Sequence, residues 1–251
     1  MPDITKAETL PSRYYSDGEE HSALLQKFSC SWNFIGLESM FDDNNIMPVM
    51  IGDIPMILTK SGTEYHCISN VCTHRGMILC DESKSSSSIK CPYHGRTFSL
   101  SGKIKHMPEF TDVENFPSTT DDLPGAKVIN WHGLLFASLF SDDTFEQYIA
   151  AVEERMNFFD FSKLVRLDEL DRLHNVSANW MLYVDNYLEG FHIPYVHKAL
   201  NSVIDYSTYQ TELFDNAVLQ IGEGQEDEIC FEIPVGHQDH GRNIAAYYWW
   251  L

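Results

Sequence analysis

Two short segments each pair one cysteine with one histidine: Cys72-Thr73-His74 and Cys91-Pro92-Tyr93-His94, with sixteen residues between them. Two thiolates and two imidazoles in this order suit a [2Fe–2S] cluster in which imidazoles replace thiolates on one of the two irons. That replacement removes negative charge from the cluster and raises its potential. Far downstream, Glu189-Gly-Phe-His192-Ile-Pro-Tyr-Val-His197 offers two more imidazoles and a carboxylate. Two neutral imidazoles plus one carboxylate make the facial ligand set of non-haem Fe(II) sites, which leaves positions open for O2 and substrate. An electron-transfer cluster followed by an oxygen-reactive iron points to oxygen-dependent redox chemistry.

Each motif has a plainer reading. Cys and His at such spacings often hold structural zinc. Three details speak against zinc. Cys-x-His is a short chelate, unlike the usual zinc knuckle. Gly76 and Gly95 flank the two halves in the same way, and glycine supplies the unusual φ that lets backbone N–H groups approach a sulfide. Pro92 stiffens the second loop. For the downstream motif, two histidines at a tyrosine-rich helix end are commonly ordinary structural residues, and the preceding cluster motif is what lifts them above that. Glu189 and His192, three apart, would share a helix face. His197 is five beyond His192, and Pro194 is expected to break the helix so that His197 turns back to meet His192.

Cys72-Thr-His74-Arg75-Gly76 and Cys91-Pro-Tyr-His94-Gly95-Arg96-Thr-Phe98 resemble the two boxes of a Rieske domain. Respiratory Rieske proteins carry an extra cysteine in each loop, joined as a disulfide. Met77 and Tyr93 stand at those positions here, so the resemblance is to the oxygenase and ferredoxin branch. Arg96 departs from the pattern: many oxygenases have Trp there. It touches no ligand in that pattern and is expected to act on the cluster's surroundings or its docking surface.

The stretch from Asn179-Trp180 through Asp185-Asn186-Tyr-Leu-Glu189 to His197 resembles the iron-binding segment of Rieske oxygenase α-subunits. The resemblance implies that His192 and His197 bind a mononuclear Fe(II). It implies that Glu189 is not a ligand but bridges to a Rieske histidine of a neighbouring subunit and relays the electron. Most members have Asp at that position, and Glu resembles the quaternary-ammonium branch (choline, carnitine or betaine oxygenases). The family's third iron ligand is a late Asp. Asp205, Asp215, Asp227 and Asp239 sit in no matching motif, and the chain ends on the apolar run Tyr247-Tyr-Trp-Trp-Leu251. The sequence therefore reads as a fragment of a longer enzyme, with that ligand expected beyond Leu251.

Composition bounds the alternatives. The net charge of −20 leaves no basic patch for phosphates, which excludes nucleic acid and disfavours anionic membranes. An acidic surface keeps a protein soluble, and it could also steer a basic donor protein or a cationic substrate. Hydrophobic residues at 43% and aromatics at 13% suffice for a substantial core. Two of the six cysteines serve the cluster, leaving Cys30, Cys67, Cys80 and Cys230 as buried thiols. The N-terminus has no signal-peptide pattern, so the expected compartment is the cytoplasm.

The elements that must position these residues follow from patterning. Residues 1–30 read as a leader with a helix over Glu19–Phe28. Residues 31–140 read as short strands, with a hairpin turn at Gly52-Asp53, an exposed hairpin tip at Ser85–Ser88 and a last buried strand over Trp131–Phe140. Ser141 reads as the N-cap of a helix, with Asp142 and Asp143 in its first turn and Phe145, Tyr148, Ile149, Val152 and Met156 on its apolar face. A strand near Leu167–Val176, a helix over Asn179–His192 and strands from Tyr206 onward, with turns at Gly222-Glu-Gly224 and Gly236, complete residues 141–251.

The fold class expected is α+β: a β-rich Rieske [2Fe–2S] domain followed by a partial helix-grip catalytic domain. The function implied is that of a terminal oxygenase component. It would take electrons from a reductase or ferredoxin, activate O2 at the mononuclear Fe(II), and hydroxylate or demethylate a small organic substrate, either an aromatic ring or a quaternary ammonium compound. The family is typically a homotrimer, with no nucleic-acid or membrane partner. The alternative is a Rieske-type electron carrier. Such a carrier needs only the region up to about Phe140, and the Glu189–His197 segment counts against it.

Overall fold

The computed structural model describes residues 4–140 and 144–251. The chain opens with α1 (Arg13–Ser16) and α2 (Gly18–Cys30). The expected helix over Glu19–Phe28 lies inside α2. Asp17 sets its start by accepting from the backbone N–H of Glu19 at 2.8 Å and of Glu20 at 3.2 Å, which satisfies donors that a first turn otherwise leaves open.

Two compact units follow from the pattern of contacts. The first comprises Ser22–Phe145 with Phe161–Leu167. It holds strands β1 (Asn33–Leu37), β2 (Ile46–Ile51), β3 (Ile54–Ser61), β4 (Glu64–Ser69), β5 (Ile89–Lys90), β6 (Thr97–Phe98), β7 (Ile104–His106), β8 (Gly125–Trp131) and β9 (Leu134–Ser138). Six of these form an antiparallel sheet in the order β1-β9-β8-β4-β3-β2, and β5-β6-β7 form a small second sheet. The Gly52-Asp53 turn joins β2 to β3 as expected: Ile51 pairs with Ile54, and Gly52 takes a φ of 56°, in the left-handed region that glycine enters freely. Trp131 does not begin the last strand. It ends β8, and His132-Gly133 turn the chain into β9.

The serine run is exposed but is no free hairpin tip. Ser85 Oγ donates to the Asp43 carbonyl, Ser86 N–H donates to Asn45 Oδ1, and Lys84 forms a β-bridge with Ile46. Buried Ile46, Ile57, Ile68, Ile89, Phe98 and Leu123 pack into one cluster with Cys72 and Cys91, so the cysteine-bearing loops rest directly on this core.

The second unit comprises Glu146–Asp160 and Asp168–Leu251 with the described residues up to His21. α3 (Phe145–Arg155) shows the expected helical spacing, with Phe145, Ile149, Val152 and Met156 buried. The cap assigned to Ser141, Asp142 and Asp143 lies outside the described residues. The strand expected near Leu167–Val176 is absent: residues 164–179 lie outside strand and α-helix, with one 3-10 turn at Asp168–Leu170. No neighbouring strand pairs with this run among the described residues. Leu173 is 90% exposed and Val176 74% exposed, so its alternating apolar residues found no sheet face to cover.

Helices α4 (Trp180–Tyr187), α5 (Ile193–Val196) and α6 (Lys198–Val203) precede an antiparallel sheet of β10 (Ile204–Leu213), β11 (Val218–Gly224) and β12 (Ile244–Trp250), in the order β10-β11-β12. Gly222-Glu-Gly224 is not a turn. It lies within β11, where the register slips between Gly222 and Glu223. A Cβ on Gly222 would come within 2.9 Å of the Ile204 side chain, so close packing explains this glycine. Gly236, at φ 94°, does mark a bend. A buried ion network ties the unit together: Asp239 accepts from Arg155 Nε at 2.7 Å, Arg242 Nη1 at 2.8 Å and the Tyr247 hydroxyl at 2.8 Å. Antiparallel sheets with helices make the fold α+β. No helix among the described residues is long and apolar enough to cross a membrane.

Candidate metal centres

The two cysteine-bearing loops are near copies of each other. In the first, Cys72 N–H donates to the Met77 carbonyl at 2.9 Å and Gly76 N–H to the Cys72 carbonyl at 3.0 Å. In the second, Cys91 N–H donates to the Arg96 carbonyl at 2.7 Å and Gly95 N–H to the Cys91 carbonyl at 3.1 Å. Gly76 and Gly95 have φ values of 71° and 74°, a conformation that would strain other residues, so each loop closes on its glycine.

These loops sort their side chains by type. Cys72 and Cys91 are buried, and their thiols interact with each other. The His74 and His94 rings meet edge to face at 4.9 Å between centroids. Thiol beside thiol and imidazole beside imidazole is the arrangement that gives one iron to each pair. His74 Nδ1 is buried with no hydrogen-bond partner, an unsatisfied lone pair that a metal would satisfy. Burial pushes the Cys72 thiol up, with the Cys91 sulfur adding to it. Burial lowers His74, and nearby His94, Arg75 and Arg96 lower it further, which favours the neutral imidazole that ligates metal. The donor set therefore fits a [2Fe–2S] cluster. All six cysteines are unpaired thiols, and Met77 and Tyr93 offer no sulfur pair beside the cluster.

Arg96 is only 3% exposed and so is not part of a docking surface. Its Nη2 hydrogen-bonds to Asp121, and its guanidinium lies 5.5 Å from the Phe116 ring. The Asp121 main-chain carbonyl accepts from Thr73 Oγ1 at 2.7 Å. Asp121 thus touches both loops. No local motif marks it, because the contact spans 25 residues to Arg96 and 48 to Thr73.

At the second site the helix is shorter than its sequence pattern suggests. Asn179 caps α4 by accepting from Met181 N–H at 3.0 Å. The helix closes at Tyr187, with Leu188 as its C-cap. Glu189 and His192 therefore share no helix face. The loop between α4 and α5 brings them together instead: His192 Nδ1 lies 2.5 Å from Glu189 Oε1, and Phe191 N–H donates to Glu189 Oε2 at 2.5 Å. A carboxylate on Nδ1 leaves Nε2 as the metal-facing nitrogen. Gly190 is required by close approach, since a Cβ there would sit 2.6 Å from the Tyr209 ring.

Pro194 does not break a helix. It lies in the first turn of α5, where its missing N–H costs nothing. His192 and His197 cap the two ends of that single turn, and their rings lie 4.9 Å apart between centroids. His192, His197 and Glu189 line a cavity of about 280 Å³ with Tyr183, Tyr187, Tyr209 and Tyr248. Burial raises the Tyr187, Tyr209 and Tyr248 hydroxyls, which keeps them as neutral phenols. Tyr209 donates to Gln220 Oε1 at 2.9 Å, and Gln220 donates to the Tyr187 carbonyl at 2.6 Å, so Gln220 fixes one wall.

His192 and His197 fit two positions of an iron site. Among the described residues no group of three His, Cys, Asp or Glu side chains could hold a single metal ion. Asp239 is committed to Arg155, Arg242 and Tyr247, and Asp205 to Ser207 at 2.7 Å. For the cluster, two donors per iron is the arrangement expected.

Comparison with known proteins matches residues 31–117 to the Rieske [2Fe-2S] domain and residues 149–244 to the ring hydroxylating alpha subunit catalytic domain. The chain is 28% identical over 230 residues to a chloroplastic choline monooxygenase of Beta vulgaris, covering 87% of this chain and 51% of the relative. It is 26% identical to the carnitine monooxygenase oxygenase subunit of Escherichia coli K12, covering 98% of this chain and 66% of the relative. The crystal structure of the quaternary ammonium Rieske monooxygenase CntA with an inhibitor superposes with a TM-score of 0.76 at 25% identity, covering 87% of this chain and 62% of that one. The chain thus spans about half to two thirds of the length of these relatives. The chain thus carries a Rieske [2Fe-2S] domain followed by sequence of the ring hydroxylating alpha subunit catalytic domain.

Proposed function

We propose that this chain is the terminal oxygenase component of a Rieske oxygenase acting on a quaternary ammonium compound. One observation carries the reading: a single chain places two cysteines and two histidines in paired loops, and a histidine pair, one of them held by a carboxylate, in a tyrosine-walled cavity. Cys72, His74, Cys91 and His94 would hold a [2Fe–2S] cluster, and His192 and His197 a mononuclear Fe(II). When bound, the cluster supplies one-electron transfer and the iron supplies a site for O2 activation.

The protein's own groups do the rest. Glu189 holds the His192 ring by Nδ1 and accepts from Phe191 N–H, and we assign its remaining acceptor capacity to a Rieske histidine of a neighbouring subunit in a homotrimer. Aromatic faces and a carboxylate suit a cation without N–H donors, which favours a trimethylammonium head over an uncharged aromatic ring. The similarity to choline and carnitine monooxygenases supports the same class. A reductase or ferredoxin would deliver the electrons. The Rieske domain is assigned to residues 31–140 and catalytic-domain sequence to 141–251, after a leader over 1–30. Six free thiols suit a reducing compartment such as the cytoplasm.

The test combines metal analysis with turnover. The whole protein should hold three irons per chain and convert choline, carnitine or glycine betaine in preference to naphthalene when supplied with a reductase. Two irons per chain and no product with any substrate would leave an electron carrier. Preferred oxidation of the aromatic compound would overturn the substrate class.

A further inference from the structure

We propose that the buried Arg96–Asp121 pair sets the reduction potential of the cluster, Arg96 raising it and Asp121 limiting the rise. The inference rests on the ligand assignment above and gives a role to two side chains that bind no metal.

Arg96 is buried, yet its charge is incompletely matched. Nη2 meets the Asp121 carboxylate, the guanidinium faces the rings of Phe116 at 5.5 Å and Phe98 at 5.9 Å, and Nε is buried with no partner. Arginine cannot shed its proton to relieve this, so a fixed positive charge stays in a low-dielectric setting.

Its place makes that charge matter. The Arg96 carbonyl receives the Cys91 N–H, and the Asp121 carbonyl receives the Thr73 hydroxyl, so the pair is built into both ligand loops. Asp121 is held as a carboxylate: burial opposes this, but the Ser118 N–H at 2.9 Å, Arg96 and the Ser118 hydroxyl at 3.0 Å outweigh it.

Reduction would add one electron to a centre whose cysteine side is buried beside this pair. A fixed cation nearby favours the reduced form and a fixed anion disfavours it, each more strongly than in water. The two residues should therefore move the potential in opposite directions, which a merely structural pair would not do.

The experiment is a spectroelectrochemical titration of the cluster-loaded chain, using dithionite and mediators as electron source. Arg96→Gln should shift the midpoint to more negative values and Asp121→Asn to more positive values. Arg96→Lys should stay near wild type, and the double variant should fall between the single ones. Midpoints that do not move, or that move in the same direction in Arg96→Gln and Asp121→Asn at wild-type cluster content, would overturn the proposal. If Arg96→Gln fails to assemble a cluster, Asp121→Asn decides: an unchanged or lowered midpoint overturns it and a raised one supports it. A wild-type chain that assembles no [2Fe–2S] cluster would remove the ligand assignment itself and this inference with it.

Discussion

Glu189 Oε1 lies 2.5 Å from His192 Nδ1, and the two residues make this contact across a loop rather than along a helix. The carboxylate is already engaged by its own chain before any neighbouring subunit is considered. Its first task is to fix one histidine ring and one tautomer; any relay of electrons is added to that.

Replacing Glu189 with Gln should therefore have two graded effects. Affinity for Fe(II) should weaken by about 10–100-fold, the range for an outer partner of a ligating histidine, while the metal still binds at saturation. Product formation should fall much further, because a charged hydrogen bond to imidazole becomes a neutral one. His192→Ala should lose the mononuclear iron outright. Iron content beside turnover in the two variants makes the comparison, and full turnover in Glu189→Gln would remove the relay role.

His74→Cys should change the reduced protein's electron paramagnetic resonance spectrum, because a thiolate would replace an imidazole on the iron we assign to His74 and His94. Extra negative charge should also lower the midpoint potential. Zinc as the only metal in the wild-type protein would contradict the assignment.

Gly190→Ala should disturb the second site without touching a ligand. The added methyl would collide with the Tyr209 ring, and overpacking of this kind costs about 1–3 kcal/mol. Thermal unfolding should show the loss, and Fe(II) titration should show weaker binding because Glu189 and His192 flank the displaced backbone. Unchanged iron affinity would mean that Tyr209 yields freely.

Glu38 gives the cluster-bearing unit a pH-dependent contact. Hydrogen bonds from Tyr65, Asn130 and Lys60 hold its carboxyl below the ordinary value of 4.5. The unfolded chain therefore binds this proton more readily, and protonation favours unfolding. The stability gap between wild type and Glu38→Gln should be constant above pH 4.5 and shrink as pH falls through the lower folded value. Urea unfolding at several pH values measures it. A gap that widens on acidification would contradict the sign.

The cluster half was largely legible because its information is local. A short Cys-x-His chelate and a glycine after each loop specify both turns, and the Gly52-Asp53 hairpin sits where the strand pattern ends. Residues that depend on distant partners were not legible. Asp121 reaches Arg96 and Thr73 from outside both motifs. Leu167–Val176 alternates like a strand but pairs with no strand among the described residues, and pattern alone cannot supply one. Glu189 and His192 do meet, but not along a shared face: spacing by three suggests one helix, whereas the chain uses the end of one helix and the start of the next.

Both candidate iron-binding histidines lie on one short stretch of backbone, at the two ends of a single helical turn. Such a stretch behaves as a bidentate chelator. Once one imidazole engages the metal, the other is already at high effective concentration. The same economy is a vulnerability, because the turn is held by few hydrogen bonds: Tyr195 N–H and Val196 N–H to the His192 carbonyl at 3.0 and 2.8 Å, and His197 N–H to the Ile193 carbonyl at 3.1 Å. A helix so short has little cooperativity of its own. Metal loading and the melting of this one turn are therefore opposite directions of a single local equilibrium, and amide exchange at Val196 and His197 should slow when a divalent ion binds.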